Sequence, residues 1–201
     1  MILNLFIILF NLMAPLTSNR VSYTIRESSS LTIAGSSNVN KFECTNYENF
    51  SNGYIYILTD EKNEHISFSN AILKIDIKSF DCKNPIMNKD FYNTMNARQS
   101  PTINVELLSA GPVSNGKILK GQSGKFLAEV GISLNGTTKA DKIIVYWERT
   151  GNNLFRFLGE KELLMSDFGI DAPVAALGLI KVNDQITIKF DLNVQASPKI
   201  F

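Results

Sequence analysis

The sequence predicts an all-β chain wound into an antiparallel barrel, with one short α-helix packed against it. Three observations carry this. Ile186, Ile188, Phe190, Leu192 and Val194 alternate strictly with Thr187, Lys189, Asp191 and Asn193, the period of a strand with one face buried. The same period runs through Phe126, Ala128, Val130, Ile132 and Leu134, and through Ala71, Leu73, Ile75 and Ile77. Residues that tolerate positive φ fall between such stretches, at Asn52-Gly53, Asn115-Gly116, Asn135-Gly136 and Gly151-Asn152-Asn153, where hairpins require them.

Taken in order, Met1 to Ser18 is uncharged and dense in Ile, Leu and Phe, so residues 1–18 are expected to be an export signal and 19–201 the barrel domain. The run lacks a basic start, but it is shorter than the roughly 20 apolar residues of a spanning helix. Strands are expected at Ser22 to Arg26, Leu31 to Gly35, Val39 to Cys44, Gly53 to Thr59, Ala71 to Ile77, Ile103 to Leu108, Phe126 to Leu134, Ile143 to Arg149, Leu154 to Glu162 and Ile186 to Val194. That is enough to close a barrel. The helix is expected after Asn84 as N-cap, with Pro85 first and Met87, Phe91 and Met95 as a stripe, ending before Pro101. A second short helix or loop is expected around Asp171 to Leu179, interrupted by Pro173 and Gly178.

Length and composition suit one domain: 201 residues with 44% hydrophobic content and no segment resembling a linker. Lys and Arg number 20 against 19 Asp and Glu, which argues against a nucleic-acid partner. Cys44 and Cys82 are an even pair and are expected to form one disulfide in an oxidising compartment.

Catalytic chemistry finds little support. His65 is the single histidine and sits in the polar run Asp60-Glu61-Lys62-Asn63-Glu64-His65, a turn with no nucleophile-elbow sequence to accompany it. With the cysteines paired, no metal site and no cofactor is indicated. Asp167 and Asp171 have the types for acid–base work, but Gly169 between them marks a chain break where Asp caps a turn. Gly35-Ser36-Ser37 lacks the residues of a phosphate loop and reads as a strand bend. Asn49-Phe50-Ser51 and Asn135-Gly136-Thr137 match a glycosylation sequon, which chance explains in an Asn-rich chain. An eight-stranded barrel either fills with its own side chains or holds one slender apolar ligand. Thirteen Phe residues favour filling and the small Ala and Val positions favour a hollow, so composition leaves both open.

Five stretches together resemble the YceI-like family of exported, lipocalin-like barrels associated with polyisoprenoid and other lipid binding. They are Gly35-Ser36-Ser37-Asn38-Val39-Asn40-Lys41-Phe42, Lys89-Asp90-Phe91, Ser100-Pro101-Thr102-Ile103, Val130 through Lys139, and Ser166-Asp167-Phe168-Gly169-Ile170. The cysteine positions are similar to a variant associated with Bacteroidetes members. The resemblance implies an eight-stranded lipocalin-like barrel that carries or stores an isoprenoid or other long-chain lipid without catalysis, in the periplasm or outside the cell. On this reading Ile75, Val105, Val130, Ile188 and Phe190 face the ligand, and Phe91, Met95 and Phe168 stand near one opening. The family often carries a His in the first strand, an Arg before the helix Asp and an Arg before Asp-Phe-Gly. Here Thr32 or Ile33, Lys89, and Met165 or Ser166 occupy those places, so most polar handles for a head group are absent and the ligand is expected to be neutral or to differ from a pyrophosphate. The other reading is a filled barrel acting as a structural or protein-interaction module.

Overall fold

The computed structural model describes residues 17–46, 50, 52–59, 65–113, 118 and 121–197. Its strands, in chain order, are β1 (Thr17–Ile25), β2 (Ser30–Ser36), β3 (Lys41–Asn46), β4 (Gly53–Thr59), β5 (Ile66–Ser69), β6 (Ile72–Asp76) and β7 (Phe80–Asp81). The helix α1 (Pro85–Thr94) follows, then β8 (Thr102–Pro112), β9 (Ser123–Leu134), β10 (Thr137–Gly151), β11 (Leu154–Leu164), β12 (Val174–Ala175), β13 (Ile180–Lys181) and β14 (Gln185–Ser197).

Eight staves close an up-and-down antiparallel barrel, and three of them are built from two strands each. β1 and β2 lie end to end along β14, with Ile25 opposite Val194 and Ser30 opposite Asp191. β3 and β4 continue this pattern against β2 and β1, and β5 and β6 lie end to end along β8. β8, β9, β10, β11 and β14 are single staves, each paired to the next. Closure pairs most of the edges that an open sheet leaves exposed, the β10–β11 ladder being shorter than its neighbours.

The broken staves account for the differences from expectation. Asn52-Gly53 is no hairpin: Gly53 opens β4 opposite Tyr23, and a Cβ there would stand 3.0 Å from the Tyr23 hydroxyl. Close approach, not a turn, requires that glycine. β5 was not among the expected strands because Ile66–Ser69 is too short to show a period. The alternation through Ile77 ends in a 3-10 turn, Ile77–Ser79, where the Asp76 carboxylate accepts the Lys78 N–H. Around Asp171 to Leu179 the chain forms the β12–β13 hairpin with a 3-10 turn, Ala176–Gly178, between its strands. Asn115-Gly116, Asn49 and residues 1–16 lie outside the described residues. The expected boundary after Ser18 falls within β1, whose Thr17 and Ser18 pair with Thr59 and Leu58.

Helix α1 forms as its sequence predicts. The Asn84 side chain accepts the N–H groups of Ile86 and Met87 at 2.9 and 3.2 Å, and Pro85 occupies the first position. The Cys44–Cys82 disulfide ties β3 to the segment leading into this helix. Closing a loop of 38 residues restricts the unfolded chain by about 4 kcal/mol in the loop-entropy account. Beyond the helix, the Asn135-Gly136 turn has φ of 51° and 77°, the twist-matched hairpin geometry.

Candidate functional site: the barrel interior

Inward-facing residues of all eight staves enclose a cavity of about 300 Å³. A single water needs only about 10–15 Å³ on a comparable measure, so the interior is hollow. Alternation builds the lining. Phe126, Ala128, Val130 and Ile132 come from β9, and Ile188, Phe190, Leu192 and Val194 come from β14. Val21 and Ile25 on β1 and Val105 and Leu107 on β8 complete much of the rest. Among the described residues, Tyr23 and Lys161 are the only lining side chains that carry a polar atom. Burial raises the Tyr23 phenol above its ordinary pKa, so it stays neutral.

Four of the eight residues expected at the ligand line this cavity: Val105, Val130, Ile188 and Phe190. Ile75, Phe91, Met95 and Phe168 lie outside the lining. Ile75, Met95 and Phe168 belong to the buried hydrophobic core, and Phe91 is partly buried against it. Phe91 stacks at a tilt on Phe80, with ring centroids 5.5 Å apart. Asn96 donates to Asn135 Oδ1 at 2.9 Å, and Asn135 donates to the Phe168 carbonyl at 3.3 Å. Helix end, hairpin and Asp-Phe-Gly turn are thereby joined.

Lys161 was not singled out from the sequence, although its phase was readable. Phe155, Phe157, Gly159 and Lys161 share one face of β11, and the first two line the cavity beside Lys161. Its ammonium donates to Asp141 Oδ1 at 2.6 Å and to the Lys142 carbonyl at 3.3 Å. At the other end of the same face, the Arg149 guanidinium lies 5.3 Å from the Phe155 ring centroid, with its Nε buried and unpartnered.

The remaining candidates take structural roles. Asp167 and Asp171 are exposed, and Asp167 pairs with Lys139 at 3.6 Å. Asp184, not Asp167, caps the turn: it accepts the Ser166 hydroxyl at 2.5 Å and the Ser166 N–H at 2.8 Å. Those bonds hold its carboxyl below the ordinary carboxylate range. His65 is exposed at the foot of β5. Gly35 belongs to β2, where a Cβ would meet the Phe42 ring at 2.5 Å. At the positions where the family often has charge, Ile33 is buried, Thr32 bonds Thr45 through its hydroxyl at 3.0 Å, and Lys89 is exposed. Among the described residues no group of three His, Cys, Asp or Glu is placed to hold a metal, and no helix is long and apolar enough to cross a membrane.

A family model for the YceI-like domain matches residues 17–194. The chain belongs to the YceI-like family. Solved structures agree on the fold of this YceI-like domain. Burkholderia cenocepacia BcnA aligns with a TM-score of 0.61 at 19% identity, over 82% of this chain and 95% of that one. A polyisoprenoid-binding domain from Saccharophagus degradans, implicated in plant cell wall breakdown, aligns with a TM-score of 0.61 at 11% identity, over 88% and 99%. The Campylobacter jejuni YceI protein gives 0.50 at 15% identity, over 74% and 81%. No curated protein matches the YceI-like chain.

Proposed function

We propose that this YceI-like barrel is a carrier or store for a long-chain apolar lipid, an isoprenoid above all, held inside the barrel without catalysis. The observation that carries the reading is the hollow interior, about 300 Å³ lined by aliphatic and aromatic side chains. Burying a sixteen-carbon chain there is worth on the order of 12 kcal/mol, at about 0.8 per methylene. Association costs on the order of 4–15 kcal/mol, so micromolar affinity needs no charged contact. The similarity to a polyisoprenoid-binding domain supports the ligand class. Export of residues 19–201 after removal of an apolar leader would place this shielding in an aqueous compartment that an insoluble molecule must cross. The apolar hollow favours this reading over a filled barrel used as an interaction module.

Native mass spectrometry of the purified protein, followed by organic extraction and lipid mass analysis, tests the proposal. A stoichiometric long-chain lipid is the expected result. Protein that arrives empty and takes up no isoprenoid, fatty-acid or quinone probe would overturn it.

A further inference from the structure

The barrel wall has a seam. β9 pairs along its whole length with β10, from Leu134 opposite Thr137 to Ser123 opposite Glu148, and β11 and β14 pair from Leu154 to Leu164. Between them, the β10–β11 ladder runs only from Tyr146 opposite Leu158 to Gly151 opposite Leu154. Residues 137–145 of β10 and 159–164 of β11 are not paired to one another, so their facing edges carry backbone groups without ladder partners. Lys161 reaches across this seam: its ammonium takes the Lys142 carbonyl and Asp141 Oδ1, while its stem lines the apolar cavity.

We propose that the Lys161–Asp141 pair is the head-group subsite of the cavity, and that it receives the neutral oxygen of a long-chain alcohol or carbonyl compound. The proposal rests on the lipid-carrier reading and names the polar end of its ligand. Position comes first: Lys161 is the one cationic side chain lining the cavity among the described residues, and both members of the pair are 28% exposed, within reach of solvent at the seam. Donor capacity comes second. An ammonium has three N–H donors. Two are used here, which leaves one for a ligand oxygen. Asp141 Oδ1 also accepts the Lys142 N–H, and Oδ2 is left as an acceptor for a hydroxyl. Charge decides the class. The pair is already neutral, so a phosphate or carboxylate would bring further negative charge beside the Asp141 carboxylate, whereas an alcohol or carbonyl adds none. Arg149, which has no acidic partner among the described residues, stands near Phe155, six residues away along β11 and so about 20 Å from Lys161. A chain lying in the cavity with its oxygen at Lys161 therefore points its tail toward Arg149's end.

The test compares three C20 isoprenoid probes by titration against the full chain: geranylgeraniol, geranylgeranyl diphosphate and the corresponding hydrocarbon without oxygen. Two variants accompany it, Lys161→Met, and Lys161→Met with Asp141→Leu, which removes both charges should one alone unsettle the fold. The expected result is that the parent protein prefers the alcohol, and that both variants lose about tenfold on the alcohol while holding the hydrocarbon unchanged. Equal alcohol affinity in parent and variants overturns the subsite while the carrier reading stands. Tightest binding of the diphosphate, abolished by Arg149→Met, also overturns it, by moving the head group to the other end. Failure of the parent protein to bind any of the three overturns the carrier reading and this proposal with it.

Discussion

Gly159 lies directly against the ring of Phe190, its cross-strand partner: a Cβ added at Gly159 would stand 2.4 Å from Phe190 Cζ. The glycine is what allows a large ring to lean on the wall and leave a hollow beside it. Gly159→Ala is expected to drive the ring from its rotamer and to destabilise the fold by about 1–3 kcal/mol. Adding Phe190→Leu should recover most of that loss. A double-mutant cycle from denaturant midpoints measures the coupling, and additive effects would refute it.

Val130 projects into the cavity from the middle of β9. Val130→Trp is expected to consume the free volume and abolish lipid uptake, while far-UV circular dichroism and cooperative unfolding stay close to the parent. Unchanged uptake of a fluorescent isoprenoid probe would place the ligand outside the barrel.

Asn135 joins three elements through one amide, bonding Asn96, the Phe168 carbonyl and, at 3.4 Å, the Gly169 carbonyl. Asn135→Gly keeps the left-handed backbone without strain, so it isolates the side-chain bonds. Their loss is expected to cost about 1–3 kcal/mol in chemical unfolding. Asn135→Asp should cost more, because a carboxylate would face two carbonyl oxygens where an N–H₂ donor now stands.

Asp184 gives the fold a defined acid sensitivity. Its hydrogen bonds from Ser166 hold the folded-state pKa below the ordinary value, which is about 3.9. The contribution is therefore fully present above that ordinary value and fades as pH falls through the lowered folded one. The difference in melting temperature between the parent and Asp184→Asn should be widest near neutral pH and narrow in acid, as pH falls through the lowered folded-state pKa. A gap that does not change with pH would show that the carboxylate's charge is not what stabilises the turn.

The parts of this protein that were legible in the sequence are those fixed by local physics. Alternation in β9 and β14, the Asn84-Pro85 helix start and the Asn135-Gly136 turn each follow from side-chain period or backbone preference, which neighbouring residues alone decide. The cysteine pair was legible from its number. So were Val105, Val130, Ile188 and Phe190 as cavity residues, because their inward phase belongs to strands that run unbroken. Only the tertiary structure decided that Ile75, Phe91, Met95 and Phe168 pack in or against the core instead of lining the hollow, since depth along the barrel depends on stagger between staves. The same holds for the three two-strand staves, for Gly53 as a close approach and for the cavity's existence. Lys161 and Asp141 lie 20 residues apart in the chain and meet only because β10 and β11 part company above Tyr146. Strand period determines which face a residue takes; strand pairing determines what it meets there.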